Sequence, residues 1–476
     1  MSRKKKQLER VYESLSIQSM GNEGVSIARN EEGIVRFLKY GAPGDLVHAE
    51  IRQKRKKFAE GIIQKVIEPS PDRIEPRCEY FTHCGGCSWQ HLKYEQQLHW
   101  KRQIVEDVCT RIGKFPFPEI ESTLPSPRQF NYRNKMEFSF GSSAWLTEEQ
   151  IASNEEFRKG FAFGLHVPGR FDKIMNIEEC HLQCTDGNIL LDAIHTKAHE
   201  LELSGYDPRS HEGFLRSLII RSSKHSSEIM AILITQEPNS EQDEAFIDWW
   251  HTIKSAFPFI TSALHCINLS WSPMAQGEII FSDGPLYITE SILDIKYTIS
   301  PFSFFQTNSY QLDQFVARII DQAQIDSNAH VWDLYCGAGT ITFPAAKKAH
   351  SIIGIELSES SIANAKYNQS LNNIHNSEFY AHDLHVGSAI ELLKSLKQPD
   401  IIIIDPPRAG VHDTLLRHML EISPKRIVYV SCNPATQARD IAILSEKYEV
   451  TSMIPVDMFP QTAHVESIGT LELKSL

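Results

Sequence analysis

Val331-Trp332-Asp333-Leu334-Tyr335-Cys336-Gly337-Ala338-Gly339-Thr340 is the stretch that decides the fold. A short apolar strand runs into a turn with two glycines, and a helical pattern follows. Three more apolar strands lie beyond it: Ser351-Ile352-Ile353-Gly354-Ile355, Ile401-Ile402-Ile403-Ile404 and Arg426-Ile427-Val428-Tyr429-Val430. From about residue 310 these alternate with helix candidates. Apolar strands interleaved with helices predict a buried, largely parallel, doubly wound α/β sheet of Rossmann-like type. In such sheets ligands sit beyond the carboxyl ends of the strands.

The glycine turn is the first candidate site. Gly337 and Gly339 let the backbone approach a ligand closely. Glu356 closes the next strand, 19 residues after Gly337, where an acidic side chain can hold both ribose hydroxyls. His382-Asp383 follows Phe379-Tyr380 and could meet a base. The turn carries two of the three glycines of the dinucleotide fingerprint. A single nucleoside with a sulfonium side chain therefore fits better than NAD, and S-adenosylmethionine is the natural candidate.

The strand ends that follow carry reactive groups. Asp405-Pro406-Pro407-Arg408 closes the most apolar strand, and Ser431-Cys432-Asn433-Pro434 closes the next, so Cys432 stands 27 residues after Asp405. Adjacent prolines stiffen the first turn and would hold Asp405 against a flat base. A thiolate is needed where a methyl group must reach C5 of a pyrimidine, because that carbon is a poor nucleophile. Attack of sulfur at C6 makes an enolate and places negative charge on C5. The C5 proton must then leave, and Glu466, in His464-Val465-Glu466, is the candidate base. Enzymes that methylate exocyclic amines typically follow the Pro-Pro with an aromatic residue. Arg408 in that place favours carbon methylation.

The rest of the chain frames this segment. At 476 residues it is long enough for roughly three domains, expected at 1–70, 71–295 and 296–476. Gly24 to Ala28, Ile34 to Leu38 and Leu46 to Ile51 are β-prone runs separated by turns, which predicts a small OB-like barrel. Pro69-Ser70-Pro71-Asp72 reads as a linker. A helix is predicted from about Tyr94 to Ile112, a strand pair at Leu218 to Arg221 and Ile229 to Ile234, and helix over 238–256, giving a mixed α+β centre. The net charge is −12, yet basic runs crowd the first 60 residues, Arg3 to Lys6 and Arg52 to Lys57, as expected of a phosphate-contacting module. No run of about 18 apolar residues predicts a membrane span. No apolar stretch follows the basic start, so the cytosol is the expected compartment.

Nine cysteines, an odd count, speak against a disulfide framework. Cys78, Cys84 and Cys87, with Gly85-Gly86 between the last two, have metal-ligand spacing. Cys180 or Cys184 could supply a fourth thiolate. Zinc and an iron–sulfur cluster both accept four cysteines. A site with four thiolates is closed, hence structural or RNA-contacting rather than radical-generating.

Taken together, these motifs resemble the RNA (uracil-5-)-methyltransferase family. The resemblance runs nearly end to end. It rests on Gln90-His91 after the Cys-Gly-Gly-Cys core, on Asn131-Tyr132-Arg133-Asn134-Lys135, and on Phe304-Phe305-Gln306-Thr307-Asn308. The motifs at Asp333, Asp405, Ser431 and Val465-Glu466 complete it. Gly141 to Lys159 stands outside it and reads as a local insertion. Among the family's branches, the chain is similar to the 23S ribosomal RNA enzymes that carry an N-terminal TRAM barrel and a [4Fe-4S] cluster. That resemblance implies a cluster on Cys78, Cys84, Cys87 and Cys180. It implies an S-adenosylmethionine-dependent methyltransferase domain with Gln306, Tyr335, Thr340, Glu356, Asp383 and Asp405 at the donor, Cys432 as nucleophile and Glu466 as base. The TRAM barrel would grip RNA, and the target uridine would be flipped from its stack. A monomer acting on 23S ribosomal RNA is expected. Transfer RNA is the alternative substrate, and a non-catalytic RNA-binding or ribosome-assembly protein the alternative class. The intact Cys432, Glu466 and Gln306 argue against the latter.

Overall fold

The computed structural model describes residues 11–55, 57–153 and 160–475. The basic run Arg3 to Lys6, Lys56 of the second run, and residues 154–159 of the insertion lie outside the described residues.

Five strands, β1 (Val11–Met20), β2 (Ser26–Arg29), β3 (Val35–Lys39), β4 (Leu46–Lys54) and β5 (Phe58–Glu68), close into a barrel in the order β1-β2-β3-β5-β4. Only β3 and β5 run parallel. Alternate residues point inward, as the period of two in a strand requires. Leu15, Ile17, Ala28, Leu38, Val47, Ala49, Ile51 and Ala59 fill the barrel. The expected linker at Pro69 to Asp72 is a correction. Asp45 is fully buried, and its carboxylate accepts from Ser70 N at 2.8 Å and from Arg73 Nη2 at 2.6 Å. A buried carboxylate requires such donors, so this segment is stitched to the barrel floor. Trp89 and His91 continue the contact, donating to Gly24 O and meeting Gly41 O respectively.

The helix expected to Ile112 runs over Tyr94–Val108 and widens into a π turn at Cys109–Gly113, closed by Lys114 N to Cys109 O. A second sheet has seven strands: β6 (Lys135–Gly141), β7 (Ala162–His166), β8 (Ile174–Asn176), β9 (Leu215–Ser222), β10 (Ile229–Thr235), β11 (Ser262–Ile267) and β12 (Glu278–Asp283). Their order is β12-β11-β10-β9-β6-β7-β8. Phe138, Phe163, Leu218 and Leu233 meet Leu190, Ile194, Phe246 and Trp250 from the helices Thr185–Glu200 and Glu241–His251. A hairpin, β13 (Ile288–Ile292) and β14 (Ile295–Ile299), leads out of it.

The third sheet holds β15 (His330–Leu334), β16 (Ser351–Glu356), β17 (Ser377–Ala381), β18 (Ile401–Ile404), β19 (Arg426–Ser431), β20 (Tyr448–Val456) and β21 (Glu466–Leu473). The order is β17-β16-β15-β18-β19-β21-β20. The first five strands in that order are parallel, and β21 is antiparallel to both of its neighbours. The strand order reverses at β15, between β16 and β18. That switch point opens a crevice beyond the carboxyl ends. Among the described residues no helix is long and apolar enough to cross a membrane.

Candidate active site

The crevice is a cavity of about 780 Å³. Gln306, Tyr335, Thr340, Glu356, Asp383, Asp405, Cys432 and Glu466 all line it. Most of them stand at the carboxyl end of a strand or within two residues of it, because a doubly wound sheet delivers its loops there.

One wall is the turn after β15. Tyr335, Gly337 and Gly339 have φ of 65°, 54° and 90°, the left-handed region in which glycine is unstrained. A Cβ on Gly337 would meet nothing within 4 Å, so the backbone faces open space. A Cβ on Gly339 would lie 2.5 Å from the Phe343 ring. The Glu356 carboxylate is fixed behind this turn, accepting from Gly337 N at 3.2 Å and from Ser358 N at 2.9 Å. Asp333, fully buried beneath it, accepts from Thr342 Oγ1 at 2.5 Å. Its second oxygen has no partner, and burial pushes its carboxyl up to about 7. Asp383 accepts from His385 N at 2.8 Å.

The opposite wall is reactive. Asn433 caps the helix Pro434–Leu444, which starts with proline at a position where no N–H is needed. The same Asn433 donates through Nδ2 to Arg408 O at 3.1 Å, and Thr436 Oγ1 donates to that carbonyl at 3.2 Å. The cysteine turn and the Asp-Pro-Pro-Arg turn are therefore tied together. Glu466 arrives from the other side because β21 runs antiparallel to β19, with Ser467 opposite Ser431. Glu466 is 4% exposed. Burial first, and then the nearby Asp405 carboxylate, push it up to about 8, against the pull of Arg408. Burial likewise raises Asp405 to about 7. The Cys432 thiol is pushed up to about 11 by burial and by Glu466 and Asp405; the Arg408 guanidinium, which hydrogen-bonds it, opposes them.

The third wall is Ser303 to Asn308. Buried Arg221 donates to Pro301 O at 2.9 Å and to Ser303 O. Asn134 donates to Gln306 O at 2.8 Å, and Asn308 to Met458 O at 3.0 Å. Phe304 in this loop is 72% exposed and lines the cavity. Sequence reasoning gave no site role to Phe304 or His464. The structure adds both, and sets His464 Nδ1 3.5 Å from Arg408 Nη2. It also adds a buried support. Lys101 Nζ lies 2.5 Å from Asp457 Oδ1, with both side chains fully buried, and also donates to Phe459 O at 3.1 Å. Tyr94 OH donates to Asp457 at 2.8 Å. This network fixes the segment that leads into Glu466.

Cys78, Cys84, Cys87 and Cys180 line a second cavity of about 540 Å³, which shares Ser303, Phe304 and Thr307 with the first. Cys184, the other candidate for the fourth thiolate, lies elsewhere, at the start of the helix Thr185–Glu200. Gln90 accepts from Cys78 N at 3.1 Å, and Asn188 from Cys180 N at 3.0 Å, which fixes the two loops that carry the thiols. Burial, reinforced by the other cysteines, pushes Cys84 up to about 11 and Cys87 up to about 12. Among the described residues no three His, Cys, Asp or Glu side chains are arranged to hold a metal ion. Cys78, Cys84, Cys87 and Cys180 therefore share one cavity lining without forming a metal-binding group among the described residues.

The profile of the tRNA (Uracil-5-)-methyltransferase family matches residues 286–474. Over almost its whole length the chain is 40% identical to an uncharacterized RNA methyltransferase of Bacteroides thetaiotaomicron, covering 96% of this chain and 100% of that one. It is 39% identical to an uncharacterized RNA methyltransferase of Chlorobaculum tepidum, covering 90% of each. A solved structure, the Pyrococcus abyssi tRNA (uracil-54, C5)-methyltransferase in complex with S-adenosyl-L-homocysteine, matches with a TM-score of 0.73 at 28% identity, covering 96% of this chain and 99% of that chain.

Proposed function

Because the chain belongs to the RNA (uracil-5-)-methyltransferase family, a family of S-adenosylmethionine-dependent RNA methyltransferases, we propose that it converts a uridine of 23S ribosomal RNA to 5-methyluridine. The observation that carries this reading is the meeting of Cys432 and Glu466 in the cavity that also holds Gln306, Tyr335, Thr340, Glu356, Asp383 and Asp405.

When bound, S-adenosylmethionine supplies an electrophilic methyl group. Its nucleoside would lie against the Gly337 turn, with the ribose hydroxyls on Glu356 and the base near Asp383. Cys432, as thiolate, adds to C6 of the uracil, and the electron pair of the C5–C6 double bond moves into the ring as an enolate. Arg408 stabilises the sulfur charge, which the surrounding carboxyls disfavour. C5 then takes the methyl group. Glu466 removes the remaining C5 proton, the C6–S bond breaks and the double bond returns. In the resting cavity Glu466 holds a proton at neutral pH, so it must be ionised before it can act. The uridine must leave its stack to reach this depth.

The four thiols of the second cavity would hold the [4Fe-4S] cluster, which would tie the loop of residues 78–87 to that of Cys180. A soft donor set of four cysteines around one volume suits a cluster. The same four thiolates also suit a tetrahedral zinc ion, and the resemblance to the cluster-bearing branch is what favours the cluster. The five-stranded barrel is proposed as the TRAM-type RNA-binding module. The motif resemblance to the 23S ribosomal RNA branch supports ribosomal RNA. The Pyrococcus structure, a tRNA methyltransferase by its description, supports transfer RNA as a second reading.

Methyl transfer from labelled S-adenosylmethionine to unmodified 23S ribosomal RNA and, separately, to transfer RNA tests both, with nucleoside mass spectrometry of the product. The expected result is 5-methyluridine in ribosomal RNA, lost in Cys432→Ala. Product in transfer RNA alone selects the second reading. Product in neither, with full cellular effect of Cys432→Ala, returns the protein to RNA binding without catalysis.

A further inference from the structure

Outside the cavities, the loop between β11 and β12 stands out. Leu269, Trp271 and Met274 are 57%, 76% and 60% exposed. Yet the loop is built with care. Arg216, 6% exposed, donates through Nη1 to Asn268 O at 2.7 Å and Ser270 O at 2.8 Å, and through Nη2 to Ser272 O at 2.8 Å. Its guanidinium lies over the Tyr206 ring at 4.0 Å. Asn268 Oδ1 accepts from Ser270 N and Ser270 Oγ at 2.9 and 2.7 Å. A buried cation used to hold three loop carbonyls fixes the backbone under the exposed side chains.

Trp271 is fixed as well. Its indole stacks on His211, with ring centres 4.8 Å apart and planes 9° from parallel. Tyr206 OH meets His211 Nδ1 at 2.9 Å and holds the lower ring in place. With one face on His211 and 76% exposure, the indole turns its other face to solvent. Arg209, two residues from His211, lies over the exposed Phe171 ring at 5.7 Å. Arg209 also pairs with Asp172 at 2.6 Å, so the platform itself is aromatic and the nearby cation is already matched by a carboxylate.

The same loop ends at Gln276, which lines the cavity of Cys432 and Glu466. Five residues of chain span at most about 17 Å. That is about five stacked base steps at about 3.4 Å each. Trp271 is thus within about 17 Å of a residue that lines the cavity where the target uridine must enter.

We propose that Trp271 is a stacking platform for an unpaired nucleobase flanking the target uridine in the RNA. It rests on the reading that RNA is presented to the Cys432 cavity. A nucleobase offers a flat π-face of the right kind to a pre-stacked indole, and such stacking accepts any base.

Two measurements test this. The first is binding of poly(U) and of transcribed, unmodified 23S ribosomal RNA to wild type, Trp271→Ala and Trp271→Phe, with S-adenosylmethionine binding as the folding control. The stacking range per base predicts about 5- to 150-fold weaker RNA binding in Trp271→Ala. Trp271→Phe should restore most of it, donor affinity should be unchanged, and KM for RNA should rise while kcat holds. The second uses the wild type alone: poly(U) should protect its exposed tryptophan emission from acrylamide. Unchanged RNA affinity in Trp271→Ala, or no protection by poly(U), overturns the proposal. If the wild type forms no 5-methyluridine, the catalytic reading fails, and the binding and quenching results still decide the role of Trp271.

Discussion

Replacing Glu466 by glutamine should stabilise the fold at alkaline pH while ending turnover. The Glu466 side chain is 4% exposed, and its pKa moves from 4.5 to about 8 on folding, through burial first and Asp405 second. A shift of that size corresponds to about 5 kcal/mol carried by the ionised form in the folded state. The sign follows from a folded pKa above the unfolded one. The stabilisation supplied by the protonated carboxyl is complete below pH 4.5, declines by about 1.4 kcal/mol per pH unit, and is gone above about 8. Glutamine cannot ionise, so the variant escapes this loss. The difference in melting temperature between Glu466→Gln and wild type should be near zero at about pH 4.5. At about pH 9 it should reach roughly 10–20 °C, at about 2–4 °C per kcal/mol for a domain of this size. Calorimetric melts across that range read it directly. A difference independent of pH would refute the assignment of a strained carboxylate to this position. The same variant has a chemical readout. Without a base the C5 proton stays, the C6–S bond cannot break, and a covalent protein–RNA adduct should accumulate on denaturing gels. Adding Cys432→Ala should abolish the adduct.

Further outcomes follow from the same geometry. The kcat/KM for RNA should rise with pH through about 8 as Glu466 ionises in the free enzyme, and a profile flat from about pH 6.5 to 9.5 would contradict its role as base. Lys101→Met leaves the Asp457 carboxylate buried without its cation. It should cost about 3–5 kcal/mol in urea unfolding, with partial recovery in Lys101→Met/Asp457→Leu; a cost below about 1 kcal/mol would deny the pair a structural role. Lys39 and Arg52 flank one groove on the barrel together with Phe37 and Phe58. Replacing both by alanine should reduce the slope of log affinity against log salt by about 0.7 for each RNA phosphate that is no longer neutralised, and an unchanged slope would remove this groove from the RNA path.

How much of this is readable in the sequence depends on where each residue's partners lie. Ile401 to Ile404 are all buried, so the strand announces itself by composition, and the four strands of its kind place the sheet. Glu356, Asp383 and Asp405 can be placed at one cavity because each stands where a strand ends, and parallel strands end on one edge. Cys432 and Glu466 are recognisable by type, but their approach depends on β21 lying antiparallel beside β19, a pairing that no local pattern encodes. Composition misleads at Pro69 to Asp72, where linker-like residues serve buried Asp45. Lys101 carries a signal of its own: it falls at helical spacing with Ile104, Val105 and Val108, all buried. A lysine on an apolar stripe needs a buried anion, and that anion, Asp457, sits 356 residues away.

The features whose partners the sequence does not reveal share one physical cause. Asp45, Arg216, Arg221 and Lys101 are charged groups within the fold, and a buried charge is tolerated only where donors or acceptors are delivered to it. Three of them hold backbone of irregular segments: Arg216 the Trp271 loop, Arg221 the Ser303 loop and Lys101 the Phe459 turn. Irregular backbone cannot satisfy its own carbonyls as a helix or strand does. Its position must be set by side chains from elsewhere in the chain. The loops that border the catalytic cavity are therefore the parts least legible in local sequence and the parts most dependent on single distant cations. Substituting such a cation should displace the loop it holds while leaving the strand ends that carry Glu356, Asp405 and Cys432 in place.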